Sequence, residues 1–306
     1  MIVANTRAEL KGARDKLAGP VVLVPTMGAL HDGHRALLRR ARELAGPGGA
    51  VAVSIFVNPL QFGPSEDLDK YPRTLDQDLA ACEQEQVDLV FAPSAREMYP
   101  ERQLVMVDPG PAGEILEGEF RPGFFHGVLT VVLKLFSLVR PDIAVFGQKD
   151  AQQLALVRAM VADFALAIVV EAVPTVRAAD GLALSSRNKY LSADERVVAP
   201  DLHRALAVGA AAAPAGPAAV LAAARQALGG AVRPGPADEA PRVDDEAPRV
   251  DYVALVDARS YRPVPAEPDQ DYDGEAVLAI AARVGTTRLI DNVIVRFGTE
   301  RHAADD

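Results

Sequence analysis

Residues 21–34 read VVLVPTMGALHDGH, and no other stretch of the chain narrows the possible folds so far. Val21 to Val24 form a short apolar run of the kind that makes a buried strand. Pro25 and Gly28 punctuate a turn, and Gly28 has no Cβ to keep a backbone away from a ligand. Asp32 or Gly33 can then cap a helix running through HRALLRRARELA, whose free N–H groups and dipole attract anions. His31 and His34, three residues apart, share one face of its first turn. Imidazoles placed there can donate to phosphate oxygens on which charge develops as a bond to phosphorus breaks. The competing reading is a pair of capping or packing histidines, or half of a metal site. Five histidines (31, 34, 126, 203 and 302) and one cysteine are few from which to complete a zinc ligand set.

The rest of the chain repeats the strand-then-helix pattern. Apolar runs at 21–24, 50–57, 87–92, 142–146 and 166–173 alternate with amphipathic segments such as TLDQDLAACEQEQ, GVLTVVLKLFSLV and AQQLALVRAMVADF. Near-continuous apolar strands alternating with helices predict a parallel sheet covered on both faces. From about Val176 the pattern changes to helical SADERVVAPDLHRALAVG and AAVLAAARQALGG, then to the short strands DYVALVD, AVLAIAARV and RLIDNVIV. A chain of 306 residues exceeds what one core usually holds. The expectation is therefore an α/β domain over 1–175 and a smaller C-terminal α+β domain over 176–306. A net charge of −10 argues against nucleic-acid or anionic-membrane partners, so an anionic substrate must be held by local positive charge. The N-terminus has no apolar core of signal-peptide length. Cys82, the single cysteine, reads as packing and fits a reducing compartment. The segment DEAPRVD occurs twice in tandem, at 238–244 and 245–251. It reads as an expanded surface loop, with too few apolar residues per copy to sustain a regular element.

Ligands on open α/β sheets bind beyond the carboxyl ends of the strands, and four strands here run straight into polar clusters. In NPLQFG, Asn58 and Gln61 offer donors and acceptors suited to a hydroxyl or carboxylate. In FGQKDAQQ, Gly147 admits close backbone approach, Lys149 supplies a charge for phosphate, Asp150 caps the next helix, and Gln153 faces the same opening one turn on. In LSSRN, Ser185, Ser186 and Arg187 suit phosphate oxygens; Arg121 is a weaker cationic candidate. No Walker A pattern, strand-associated GxGxxG or nucleophile elbow occurs. The chemistry indicated is direct attack on a nucleotide phosphate with electrostatic stabilisation.

PTMGALHDGH, SIFVNPLQFG, YPRTLDQDL, RP…GVLTVVLKLF, VFGQKDAQQ and LSSRN, in this order and spacing, resemble the pantothenate synthetase (pantoate–β-alanine ligase) family across most of residues 20–195. HxGH alone marks only the wider nucleotidyltransferase superfamily. The resemblance implies a Rossmann-like N-terminal domain, a C-terminal lid domain and a cytoplasmic homodimer. It implies synthesis of pantothenate from ATP, pantoate and β-alanine with Mg²⁺, through a pantoyl adenylate, releasing AMP and pyrophosphate. Carried over by position, Met27, Gly28, Ala29, Leu30, His31, Asp32, Gly33 and His34 line the ATP site, with His34 as proton donor or phosphate stabiliser. Gly147, Gln148, Lys149, Asp150, Val176, Leu184, Ser185, Ser186 and Arg187 complete it. Gln61 and Gln153 hold pantoate, with Asn58 beside them, and Gln61 also lies near β-alanine. Pyrophosphate leaves under His31, His34, Lys149 and Arg187, and the lid keeps water from the mixed anhydride. The chain departs from the family pattern at Phe124, where a histidine is usual, with its own His126 two places later. Two other functions remain open on the residues alone: another HxGH nucleotidyltransferase, and a nucleotide-binding regulatory protein without turnover.

Overall fold

The computed structural model describes residues 1–63, 68, 71–229, 248–266 and 272–298. It divides into two compact units, Met1–Val176 with Leu184–Ser186, and Arg177–Ala183 with Arg187–Asp306. In the first unit the strands are β1 (Ile2–Ala4), β2 (Val21–Thr26), β3 (Ala50–Ile55), β4 (Leu89–Phe91), β5 (Ile143–Gly147) and β6 (Val169–Val173). Its helices are α1 (Arg7–Arg14), α2 (Asp32–Ala45), α3 (Leu75–Gln84), α4 (Ala95–Met98), α5 (Glu117–Phe120), α6 (Phe124–Val139) and α7 (Ala151–Asp163).

The six strands make one sheet in the order β1-β4-β3-β2-β5-β6, and every pair is parallel. Strand side chains alternate between faces, and both faces are apolar. Val21 and Leu23 pack with residues of α1, α6 and α7 such as Leu10, Val128, Leu135 and Leu156. Val22 and Val24 pack with Leu38 and Ala41 of α2 and Cys82 of α3. The doubly covered parallel sheet expected from the apolar runs is therefore present. The edge strand β1 was not expected, because three residues of Ile-Val-Ala show no period of their own. Their register on Leu89–Phe91 makes them a strand.

The chain moves outward from β2 through β3 to β4 in one direction and from β2 to β5 and β6 in the other. The strand order thus reverses between β2 and β5, the place where open α/β sheets bind ligands. No helix among the described residues is long and apolar enough to cross a membrane.

The second unit has α8 (Ala193–Val198), α9 (Asp201–Ala211), α10 (Pro217–Ala227) and an antiparallel sheet β7-β8-β9 (Arg249–Asp257, Gly274–Val284, Thr287–Phe297). Leu202 and Leu206 of α9 and Val220 and Ala224 of α10 bury one face of this sheet. The helical segment expected as one piece over 192–209 is two helices. Pro200, lacking an N–H, sits at the break as the N-cap of α9. The first copy of DEAPRVD lies outside the described residues. The second departs from expectation, since its last three residues open β7 and Val250 is buried against Ala282. Its strand character comes from the hydrogen-bonding partner β8 and from the Asp251–Arg288 ion pair at 2.6 Å, not from local composition.

Candidate functional site

β2, β3, β5 and β6 are consecutive neighbours in a parallel sheet, so the segments that follow them emerge at one sheet edge. Residues 27–34 follow β2, the Asn58–Gln61 turn follows β3, and Gln148–Asp150 follows β5. Val176 follows β6, and its carbonyl accepts from the Leu184 amide at 2.9 Å.

The cap of α2 corrects the expectation that Asp32 or Gly33 supplies it. His31 is the N-cap: its Nδ1 accepts from the Gly33 amide at 3.1 Å, while Nδ1 of His34 accepts from the His31 amide at 3.3 Å. Each imidazole therefore uses its unprotonated nitrogen inside the protein. In the neutral ring the proton then sits on Nε2, which becomes a donor. The rings lie 4.1 Å apart between centroids. Burial, then the neighbouring His31 and Lys149, push the His34 pKa down to about 3. Burial and Lys149 also lower that of His31, against the opposing pull of Asp32 and Asp150. His34 is thus a half-buried neutral donor rather than an exposed imidazolium. A Cβ on Gly33 would come within 2.8 Å of the His31 ring and within van der Waals reach of Leu184, so glycine there keeps the cap closed. That contact also places Leu184 beside the HDGH turn.

The pantoate candidates separate. Asn58 is 1% exposed. Its Nδ2 donates to Gln61 Oε1 and to the Gly127 carbonyl, both at 3.1 Å, and its Oδ1 accepts from the Leu60 amide and from Tyr99 Oη at 2.9 Å. Both protons and both lone pairs are committed. In this arrangement Asn58 orients Gln61. With Oε1 of Gln61 occupied by Asn58, its Nε2 must be the outward donor, and one proton already reaches Met27 Sδ at 2.9 Å. Gln152 is structural: it accepts from the Glu117 amide and donates to the carbonyls of Ala112 and Ile115. The side chain of Gln153, next to it and half-buried, makes no hydrogen bond within the described residues.

Lys149 lies close enough to both histidines to depress their proton affinity. Asp150 stands at the N-cap of α7, as expected, but its side chain makes no capping hydrogen bond. Ser185 and Ser186 belong to the first unit, while Arg187 starts the long part of the second. Arg121 is better placed than its sequence context suggested. Its guanidinium stacks 3.6 Å from the Phe124 ring centroid and donates to the Gln61 carbonyl at 3.3 Å. Phe124, where the family pattern has histidine, is thus a platform for a cation. His126 points instead toward the exposed Asp108, 3.9 Å away.

Two contributors escaped the sequence reading. Tyr99 closes the Asn58 network from beyond β4. Asp78 of α3 is 2% exposed and accepts from the amides of Ala29 and Leu30 at 3.0 and 2.8 Å. Its signal was present: Asp78 lies four residues before the buried Cys82 and so on the helix's inward face.

The family model described as pantoate-beta-alanine ligase matches residues 2–294. The chain belongs to the pantoate–β-alanine ligase family. Curated relatives are pantothenate synthetases, among them that of Thermobifida fusca, 58% identical over 95% of each chain. That of Acidothermus cellulolyticus is 54% identical over 96% of this chain and 92% of the relative. The crystal structure of the Thermus thermophilus pantothenate synthetase superposes with a TM-score of 0.83 at 44% identity, covering 96% of this chain and 99% of that one. The Francisella tularensis pantoate-beta-alanine ligase, whose structure holds beta-gamma ATP and beta-alanine, gives 0.73 at 31% identity over 96% and 97%. Membership makes this chain a ligase of pantoate and β-alanine.

Proposed function

We propose that this ligase works in two steps, through a pantoyl adenylate, with the residues at the β2–β5 edge in specific roles. In the first step a pantoate carboxylate oxygen attacks the α-phosphorus of ATP, and the bond to pyrophosphate breaks. Nε2–H of His31 and of His34 donates to the triphosphate oxygens, and Lys149 neutralises charge on the departing pyrophosphate. Ser185, Ser186 and Arg187 hold phosphate, and Met27 to His34, Gly147 to Asp150, Val176 and Leu184 line the nucleotide. Gln61 and Gln153 hold pantoate, and Gln61 also meets β-alanine. In the second step the neutral β-alanine amine attacks the acyl carbon. The acyl–phosphate bond breaks, AMP leaves, and the nitrogen loses a proton. Holding both reactants beside one another supplies the proximity.

The observation that carries this reading is the pair of cap-locked neutral imidazoles beside Lys149 at the strand-order reversal. A neutral donor stabilises the developing charge without first having to acquire a proton. Mg²⁺ usually takes one or two carboxylates plus substrate phosphates, and the described residues contain no cluster of three or more His, Cys, Asp or Glu. The exposed Asp150, with no capping hydrogen bond, is the residue that would hold such an ion. When bound it would shield phosphate charge. A homodimer is supported by Leu104 and Val105, 88% and 77% exposed beside the half-exposed Met106, and a cytoplasmic setting by the single, buried Cys82. Pantoate labelled with ¹⁸O in its carboxylate tests the route. The proposal requires one label in AMP, and label-free AMP would remove attack on the α-phosphorus from consideration.

A further inference from the structure

Gly28 and Ala29 both adopt positive φ, +81° and +52°. This turn aims the successive N–H groups of Ala29 and Leu30 at one point, a concavity that suits an anion. Here the concavity is already filled. Asp78 reaches in from α3, with Oδ2 3.0 Å from the Ala29 amide and Oδ1 2.8 Å from the Leu30 amide, and Thr74 Oγ1 donates to Oδ2 at 3.2 Å. The carboxylate is almost fully buried and has no cationic partner among the described residues, so amides and one hydroxyl hold its charge. Gly28 leaves room for it: a Cβ there would stand 2.9 Å from Oδ2 and 3.1 Å from Ile55 Cγ2.

We propose that Asp78 is a positioning residue for the nucleotide: its carboxylate plugs the anion-binding concavity of the 27–30 turn, so that the turn is held rigid and the triphosphate is directed to the imidazoles of His31 and His34. This rests on the assignment of ATP to that turn. A buried carboxylate is an expensive way to hold a loop, yet it does two things at once. It satisfies two amides that the left-handed turn would leave unpaired. It also places a fixed negative charge where a phosphate would otherwise settle one turn short of the histidines. The residues from Met27 to Leu30 therefore meet the nucleotide with atoms other than the Ala29 and Leu30 amides.

Asp78→Ala in the full chain tests this by calorimetry with ATP and with pantoate separately, and by pyrophosphate release from ATP plus pantoate. Removing a charged partner from two amides weakens ATP affinity or adenylation roughly tenfold or more, with pantoate affinity unchanged. Formate, which fits the vacated carboxylate position, restores part of the loss. Wild-type ATP affinity and adenylation in the variant would overturn the proposal, as would equal weakening of both ligands without formate rescue, the mark of a merely structural residue. If the alanine variant does not fold, Asp78→Asn, with the same shape but one acceptor fewer, is read without formate: ATP affinity or adenylation falls with pantoate affinity unchanged, and wild-type ATP values or equal weakening of both ligands would overturn the proposal. The wild-type control separates this inference from the function it rests on. Failure of wild-type adenylation removes the proposed function, whereas wild-type turnover with indifferent variants removes only Asp78.

Discussion

His34→Gln separates the two jobs that His34 performs. Glutamine is a standard partner at this position of a capping box, so it can still accept from the His31 amide and keep α2 closed. It does not titrate. In the native chain the His34 pKa lies near 3, far below an ordinary histidine near 6.5. The unfolded chain therefore binds the proton more readily, so the stability contribution is complete above about pH 6.5 and shrinks as pH falls. Each pH unit below that value removes up to about 1.4 kcal/mol, which makes about 2 kcal/mol between pH 6.5 and 5. At a urea slope of about 2 kcal/mol/M the wild-type midpoint drops by about 1 M from this residue alone. The assay is urea unfolding of both proteins at pH 7 and pH 5. His31, whose pKa is also lowered, titrates in both proteins, and His31→Gln in each background removes its contribution and its coupling to His34 from the comparison. The variant retains its pH 7 midpoint and loses about 1 M less than wild type at pH 5, while adenylation falls by roughly 10²–10³ with the lost donor. Parallel pH dependence in the two proteins would show that the native imidazole is not held neutral by its surroundings, and the catalytic role argued from that state would go with it.

Lys149→Ala slows adenylation much more than β-alanine attack on preformed adenylate, because pyrophosphate is absent from the second step; single-turnover rates that fall equally would misplace the lysine. Gln153→Ala weakens pantoate binding by about 1–3 kcal/mol and leaves ATP binding unchanged, and calorimetry giving the reverse would reassign the amide. Deletion of residues 245–251 preserves activity and melting temperature, because Arg242, Val243 and Asp244 then occupy the places of Arg249, Val250 and Asp251 with identical side chains. A variant that melts well below the parent, or changes mass in light scattering, would show that the extra copy makes a contact of its own.

The parallel sheet and the placement of its clusters were legible because both follow from short-range pattern. Val21–Val24 is apolar at every position, which only a doubly covered strand tolerates, and polar residues directly after such strands have one sheet edge to occupy. What pattern did not reveal was the use of each polar atom. Asn58 and Gln61 look equivalent in NPLQFG, yet Gly127 and Tyr99, distant in sequence, join Leu60 and Gln61 in committing every donor and acceptor of Asn58, while Gln61 Nε2 donates only to Met27 Sδ. Gln152 and Gln153 are likewise indistinguishable until the 112–117 segment packs onto one of them. The histidines were recognised, but their charge state was not, since it depends on burial and on a lysine from another strand. The second copy of DEAPRVD failed for a related reason: three of its residues become strand through β8, a partner more than twenty residues away.

Pyrophosphate release from ATP and pantoate in the absence of β-alanine tests the two-step account most directly. The account predicts a rapid burst approaching one pyrophosphate per active site, with AMP held back as the adenylate until β-alanine is added. No pyrophosphate before β-alanine arrives, followed by its release together with AMP, would contradict a discrete adenylate and with it the roles given to His31, His34 and Lys149.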